Sequence, residues 1–302
     1  MNLFEFLGNH TYRMVFLGTA AIGLASGALG AFAYLRKRSL VSDVISHAAL
    51  PGALGAFLVA VLLGLDGRRL ALLLVGALLV SGLAVAASGH IARASKVRVD
   101  TAMAIVLTVF FGAGMLLMRV ISDGPYPGKG GIQDYLFGNA TVITRADLAT
   151  IVAVAALAIG VMVVFWKEFS LRTFDPAHSA FLGFGRRVDG LMSVALVLAV
   201  VIGVKAVGLV LMVALVVTPA AAARQWTRRL PTMVALSALI GAMGGGLGTY
   251  VSVNLGAVPP GPVVVLVLFT VFVVSLLLAP GRSVGHRLVQ RARVRRALRE
   301  TA

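Results

Sequence analysis

Long runs of apolar residues recur along the whole chain, separated by short segments rich in lysine and arginine. A helix needs about 20 apolar residues to cross the hydrocarbon core of a bilayer, so the pattern predicts an all-α, polytopic membrane protein. It leaves no stretch for a sizeable soluble domain. Seven spans are clear from the pattern: 14–35, 43–64, 70–89, 101–119, 147–166, 231–252 and 262–280.

The apolar stretch 188–223 is harder to divide, because its 36 residues are too many for one crossing and slightly few for two. Twenty of the 27 lysine and arginine residues lie in five segments that the positive-inside rule places in the cytoplasm: 36–42, 90–99, 167–187, 224–230 and 281–302. Segments on both sides of 188–223 are therefore inside. We expect two short crossings or a re-entrant pair there, which gives eight or nine membrane helices. With nine, the N-terminus lies outside and the C-terminus inside.

The composition agrees with a membrane protein, since 59% of the residues are hydrophobic and only 13% are charged. A soluble domain has about 25% charged residues. The net charge of +16 would suggest nucleic acid as a partner of a soluble protein. Here the basic residues lie between apolar spans and face lipid headgroups, so we expect no nucleic-acid partner. The absence of cysteine excludes disulfides, thiolate metal sites and haem attachment.

These observations divide the chain into an N-terminal segment 1–13, a transmembrane domain 14–280 and a basic cytoplasmic tail 281–302. The first 13 residues contain neither a basic n-region nor a small-residue cleavage site, so we do not expect a cleaved signal peptide. The tail is interpreted as a solvated extension that faces lipid headgroups.

The segment "SLVSDVISHAALPG", residues 39–52, places Asp43 and His47 four positions apart at the start of an apolar span. Residues at this spacing lie on one face of a helix. In one interpretation Asp43 caps the helix start and His47 packs one turn later. In the other, a carboxylate and a neutral imidazole bind Mn²⁺, Fe²⁺ or Zn²⁺, for which this mixed ligand set is suited. Two ligands do not complete a site, so the remaining ones would come from elsewhere in the fold.

Catalytic motifs are missing from the sequence. It contains no G-x-x-x-x-G-K-[ST] loop for ATP, no G-x-S-x-G elbow, no H-E-x-x-H pair and no nicotinamide fingerprint. We therefore expect a conduit rather than an enzyme, with no covalently bound cofactor. Two other classes stay open at this point. One is a proton-coupled secondary transporter in which Asp43 and His47 form a proton relay, and the other is a membrane scaffold that transports nothing.

Six segments, in order from about residue 14 to residue 280, resemble the membrane permeases of bacterial zinc/manganese/iron ABC importers. "SDVISHAALPGALGAFLV" is similar to the family's S-x-x-S-H-A-x-L-P-G segment. The others are "KVRVDTAMAIVLTVFFGAGMLL", "GGIQDYLFGNATVITRADL", "WKEFSLRTFDPAHSAFLG", "VGLVLMVALVVTPAAAARQW" and "TYVSVNLGAVPPGPVVVLVLFTVFVVS".

The resemblance implies a type II-like ABC importer subunit in the bacterial plasma membrane. Two permeases, identical or sister chains, would line a central path. Two cytoplasmic ATPases carrying ATP-Mg would drive it, and an extracytoplasmic protein would deliver the metal. The family's path-lining Asp and His match Asp43 and His47.

The resemblance also implies that 170–187 is the coupling segment that docks into the ATPase. The matching residues are Phe174, Asp175, Pro176, Ala180 and Gly183. The family usually has an acidic residue near His178, so the local contact differs in this chain. Pro219 matches a recurring P-A pair and is expected to bend a helix that shapes the path, or to bend it without any gating role.

The metal is predicted from the segment before L-F-G, "GPYPGKGGIQDYLFGNAT", which resembles the longer version of the manganese/iron branch. Shorter versions are commoner in zinc permeases. We therefore favour Mn²⁺ as the transported ion, with Zn²⁺ or Fe²⁺ as alternatives. Oxygen and nitrogen ligands alone do not separate these ions, because zinc binds most such sites more tightly than manganese.

Overall fold

All regular secondary structure in the described part of the chain is α-helical. The computed structural model describes residues 3–65, 67, 69–127, 143–256 and 258–279. The helices are α1 Leu3–Gly8, α2 His10–Leu35, α3 Leu40–Leu62, α4 Leu70–Ala94, α5 Val99–Asp123, α6 Arg145–Val164, α7 Trp166–Phe174, α8 Pro176–Phe181, α9 Gly185–Val207, α10 Leu209–Trp226, α11 Leu230–Asn254 and α12 Pro260–Leu278.

Eight of the described helices are long and apolar enough to cross a membrane, and α10 is a shorter apolar helix. The prediction of eight or nine membrane helices is confirmed. The tail 281–302 and most of the segment used to favour manganese lie outside the described residues. The first crossing helix begins at His10 rather than at residue 14, because Asn9 occupies its N-cap and accepts a hydrogen bond from the Thr11 N–H.

The stretch 188–223 forms parts of two helices that meet at Gly208. This residue has φ of 86°, in the left-handed region that glycine adopts without steric cost, and it ends α9 and begins α10. At 1.5 Å per residue the two helices are about 34 Å and about 27 Å long. Val207 lies beside Gly261 at the start of α12, so the turn is at the same end as the connection between α11 and α12.

Helix α2 packs with its backbone against that of α11, because glycines face each other across the contact. A Cβ on Gly23 would collide with the carbonyl of Gly241, and a Cβ on Gly241 with the carbonyl of Gly23. One turn further along, Ser237 Oγ donates a hydrogen bond of 2.6 Å to the Gly27 carbonyl. Such close approach of membrane helices through small residues maximises van der Waals contact.

The small-xxx-small pair Gly244 and Gly248 serves a different neighbour. A Cβ on Gly248 would lie 2.6 Å from Val264 Cα, and one on Gly244 would meet Leu268, so both glycines pack α11 against α12. Tight helix packing at "GAMGGGLGTY" is therefore the structural role of this segment, and the glycines on its other face serve α2.

The two ends of the bundle differ in chemistry. At one end the Arg145 side chain donates to His10 at 2.7 Å, and Phe6 makes an edge-on contact with Tyr250. At the other end lie the basic segments that belong to the described residues, where Asp189 pairs with Arg36 and Arg172. This segregation matches the prediction that the basic segments share one side of the membrane.

Candidate functional site

The start of α3 positions Asp43 and His47 on one edge of the helix. Ser39, not Asp43, holds the N-cap position, and the Ser42 hydroxyl donates to the Ser39 carbonyl at 2.9 Å. Capping therefore does not account for Asp43, although the positive end of the helix dipole favours a carboxylate in this first turn.

Every residue from Val41 to Leu54 is buried except Asp43 and His47, which are half-buried. The two polar positions of this turn thus reach the boundary of the packed bundle, while their apolar neighbours face its interior. An ionised side chain at the centre of a bilayer costs about 2.5–3.5 kcal/mol, so such residues face a partner or a wet pathway. The placement is the one expected of a pair that lines a path.

The His47 ring packs edge-on against Phe111 of α5, with ring centroids 4.8 Å apart and an interplanar angle of 80°. Its Nδ1 atom is buried and has no hydrogen-bond partner among the described residues. A buried polar atom without a partner is costly and calls for an explanation such as an ion or a proton. An imidazole held this way, with one turn of helix between it and a carboxylate, is suited to contact a cation.

The residues that follow in the same segment are structural. Pro51 lies inside α3 and has no N–H, so the carbonyl of His47 lacks the main-chain donor that a regular helix would supply. A Cβ on Gly52 would lie 2.8 Å from Ala77 Cα in α4, and one on Gly114 of α5 would lie 3.0 Å from Pro51 Cδ. The L-P-G part of the motif therefore sets the distance of α3 from its neighbours and fixes the turn that carries Asp43 and His47, the candidate ligand turn.

No group of three His, Cys, Asp or Glu side chains in the described residues is placed to hold a metal ion together. Asp43 and His47 are thus brought to one edge, but no third such side chain of the described residues joins them. A groove of about 580 Å³ opens at the α2–α3 connection, on the side of Asp43 where α3 begins. Its lining residues are Tyr34, Leu35, Lys37, Ser39, Leu40 and Asp100.

The predicted coupling segment forms two short helices, α7 and α8, and a turn. Asp175 caps α8 by accepting a hydrogen bond of 2.9 Å from the His178 N–H, and Pro176 occupies the first turn. Gly183 has φ of 80° and ends the segment before α9. Asp175 and Gly183 therefore shape the segment, and His178 is exposed.

The segment presents an apolar surface to the solvent. Phe181 is 87% exposed and Phe174 is 60% exposed, with Leu182 beside them. We call Phe174, Phe181 and Leu182 the docking surface. Sequence reasoning named Phe174 and missed the other two, although an apolar pair within the polar, basic stretch 167–187 was a signal that could have found them. The predicted contacts Pro176 and Ala180 are exposed beside it.

Pro219 lies inside α10 and is buried. Its missing N–H leaves the carbonyl of Leu215 without its helical donor. The part that this proline plays in shaping a path stays a prediction.

Asp189 has a partner set that the sequence did not indicate. Phe184, five residues before Asp189, occupies the N-cap of α9, so Asp189 does not cap this helix. Arg172 donates from Nη2 to Asp189 Oδ2 at 2.6 Å and from Nε to Oδ1 at 3.0 Å, and these hydrogen bonds raise the pKa of Arg172.

Arg38, in the connection between α2 and α3, lies near the same group of charges. Burial, with the nearby charge of Arg36, lowers the pKa of Arg38.

The sequence profile described as the ABC 3 transport family matches residues 9–279. Among curated relatives, the zinc transport system membrane protein TroC of Treponema pallidum (strain Nichols) is 41% identical over 294 residues, which cover 97% of each chain. The manganese transport system membrane protein MntC of Bacillus subtilis (strain 168) is 38% identical over 285 residues, 94% of this chain and 64% of that one. This chain therefore spans slightly less than two thirds of that relative.

A solved structure, PsaBC from Streptococcus pneumoniae in complex with Fab, is similar over 92% of this chain and 96% of that chain. The TM-score is 0.80 and the sequence identity is 28%. The arrangement of helices described above is thus shared with a known protein over nearly its full length.

Proposed function

The chain belongs to the ABC 3 transport family, and on this premise we propose that it is the permease subunit of an ATP-driven importer of a divalent transition metal. It is a multi-pass protein of the bacterial plasma membrane. Its sequence carries no ATP-binding loop, so ATP-Mg would be bound and hydrolysed on partner chains. An extracytoplasmic metal-binding protein would deliver the ion.

One observation carries the assignment of the path: from Val41 to Leu54, Asp43 and His47 are the residues that are not buried. A carboxylate oxygen and an imidazole nitrogen one turn apart can bind an ion one after the other as it moves along the helix. The unpartnered, buried Nδ1 of His47 supports this role.

The ligand set would be completed by a second permease. The edge of α3 that carries Asp43 and His47 is half-buried, and two copies related by a two-fold axis at this edge would bring two such pairs together. Two carboxylates and two imidazoles form a mixed oxygen and nitrogen set of the kind that Mn²⁺ and Zn²⁺ accept. Whether the second subunit is identical or a sister chain, it supplies the same surface.

The docking surface would engage the ATPase. Exposed phenylalanines on a short helix at the basic end of the bundle suit a complementary apolar cleft, because aromatic anchors dominate the energy of protein interfaces. Phe181 is the more exposed of the two and projects from α8, whose cap at Asp175 holds it in place.

Manganese is the proposed substrate. Several manganese-transport relatives between 30% and 38% identical support it, together with the resemblance of the segment before L-F-G to the manganese/iron branch. Zinc is the second candidate, favoured by the 41% identical zinc-transport relative.

The test is uptake into proteoliposomes that contain the permease, its ATPase and its binding protein. We expect ATP-dependent accumulation of Mn²⁺ that exceeds accumulation of Zn²⁺ at equal free concentrations. A preference for Zn²⁺ would reject manganese and establish the second candidate. Uptake that requires no ATP and collapses with a protonophore would instead establish the proton-coupled class and overturn the proposal.

A further inference from the structure

Asp189 is the centre of an ion network that is largely shielded from solvent. The side chains of Arg36, Arg172 and Asp189 are 12%, 17% and 25% exposed. Arg36 bonds Oδ1 of Asp189 at 2.5 Å, and Arg172 bonds both carboxylate oxygens, Oδ2 at 2.6 Å and Oδ1 at 3.0 Å. Shielded charges hold their partners in a fixed geometry, because separating them leaves an unpaired charge in a poorly solvated site.

The three members belong to three parts of the fold. Arg172 lies on α7 and also donates from Nη1 to the carbonyl of Pro176, the first residue of α8, at 2.8 Å. Asp189 lies on α9. Arg36 caps the end of α2 and contacts Met192 Sδ at 3.2 Å. The network therefore connects the helices that carry the docking surface with α9 and α2.

The end of α2 is joined to the turn with Asp43 and His47 by a short connection in which several main-chain groups are hydrogen-bonded. Lys37 takes a positive φ of 55°, and the Arg38 N–H donates to the Ala33 carbonyl at 3.0 Å. The Val41 N–H then donates to the Arg38 carbonyl at 3.2 Å. Such a hydrogen-bonded helix end leaves little freedom between the two helices, so a displacement of Arg36 is passed to α3.

Aromatic contacts reinforce the same link. Phe32, one turn before Arg36, makes edge-on contacts with Trp166 and Phe169, both at a centroid distance of 5.7 Å. Phe169 is fully buried. Helix α7 is thus held to α2 by packing as well as by charge, next to the network.

We propose that Asp189 is the positioning residue that links the docking surface to the Asp43–His47 turn. Through Arg172 it holds α7 and α8, and through Arg36 it holds the α2–α3 connection, so that a movement imposed on the docking surface reaches the ligand turn. This inference rests on the proposed function. It assigns to Asp189 neither a contact with the ion nor one with the ATPase.

The experiment uses the complete transporter, with Asp189→Asn in the permease. The amide keeps the shape but loses the charge that both arginines need. We expect the ATPase to co-purify as before and basal ATP turnover to stay unchanged, while ATP-driven metal uptake falls by about tenfold, the scale on which a coupling residue acts. The matched control is Asp123→Asn, which breaks the exposed pair of Arg119 and Asp123 on α5 and leaves uptake unchanged.

A second measurement distinguishes a role of Asp189 in passing movement from the docking surface to α3 from a role in stabilising the fold. Since the permease has no cysteine, Leu40→Cys introduces its single thiol, at an exposed position of α3. We expect ATP to change its rate of maleimide labelling when residue 189 is Asp and to leave the rate unchanged when it is Asn. Arg172→Lys, which keeps the charge and loses the paired hydrogen bonds, should give an intermediate result.

Undiminished uptake in Asp189→Asn, or an unaltered labelling response, would overturn the inference. So would loss of ATPase binding together with uptake, because Asp189 would then only support the docking surface. If the parent transporter shows no ATP-driven metal uptake at all, it is the proposed function that fails.

Discussion

At the scale of single residues, Asp43 and His47 are the polar edge of a turn whose other members are buried. Their proposed role depends on their position at the half-buried edge of α3, because polarity alone does not bring a side chain there. The adjacent Ser46 is polar too, but it is fully buried and its hydroxyl has no partner among the described residues. Ser46 faces the packed interior, so it lies away from the edge that an ion would reach.

Replacing Asp43 or His47 should strongly reduce metal uptake. We expect Asp43→Ala or His47→Ala to lower metal uptake by about tenfold or more, because loss of even supporting groups at a metal site costs about 10–100-fold. Membrane insertion and ATPase binding should be retained, since neither residue contributes to the buried core. Uptake of radioactive metal by the reconstituted transporter measures the effect.

Ser46→Ala is the matched control on the same helix, because it removes a hydroxyl that makes no hydrogen bond in the described structure. It should transport like the parent. Normal uptake in both ligand variants, or an equal loss in the serine variant, would contradict the assignment of the path.

The sequence predicts that Asp43 and His47 share one face of a helix, because a four-residue spacing on a helix can be read directly. It cannot predict that Ser39 rather than Asp43 holds the N-cap, because the helix boundary depends on local geometry. The partners of Asp189 were equally out of reach. Arg36 and Arg172 lie far from it along the chain and meet it only when α2, α7 and α9 pack together.

At the scale of elements, glycines decide how closely helices approach. Gly52 and Gly55 lie three residues apart on α3, but a Cβ at Gly52 would collide with the Gly76 backbone of α4, whereas one at Gly55 has open space. Gly52→Val should therefore destabilise the protein by about 1–3 kcal/mol, the usual cost of overpacking. Gly55→Val should not. Thermal unfolding of the two purified variants compares them directly, and equal melting temperatures would show that α3 and α4 do not rely on this contact.

The docking surface is formed by Phe174 at the end of α7, Phe181 at the end of α8 and Leu182 directly after it. Phe181→Ala should weaken ATPase binding by about 2 kcal/mol or more, the scale of an interface anchor. Co-purification of the ATPase at graded salt and detergent concentrations measures it. The control is Phe269→Ala, at an exposed position of the membrane helix α12, which makes the same change away from the basic end. Equal retention of the ATPase by both variants would place its contact elsewhere.

The apolar pattern of the sequence predicts the number of helices better than it predicts where each helix begins and ends. An even number of crossings in 188–223 is predicted because the basic segments on both sides of it lie inside. The position of the break between the two helices, at Gly208, depends on which of several glycines takes a positive φ, and the sequence does not show this. The six residues of α8 are too few to show a helical period, so its exposed face is signalled only by the apolar pair Phe181 and Leu182 within a basic stretch.

At the scale of the whole molecule, the two ends of the bundle have different surroundings. Three connections at the basic end carry arginine or lysine, namely those after α2, α4 and α10, and they lie with the network around Asp189. The connections after α3 and α11 lie at the opposite end. We predict nine crossings with the C-terminus inside, because this topology places the connections after α2, α4 and α10 on one side of the membrane.

Thiol labelling in intact cells tests that topology, since the chain offers no cysteine of its own. We expect a membrane-impermeant maleimide to label Leu63→Cys and Leu255→Cys, both exposed and in connections at the end opposite the network around Asp189. Ser95→Cys and Arg228→Cys, exposed at the basic end, should react only after the membrane is permeabilised. The pair at each end serves as a control for the other. Labelling of Leu63→Cys but not of Leu255→Cys in intact cells would mean that α9 and α10 do not both cross, because the parity of all later helices would then be reversed.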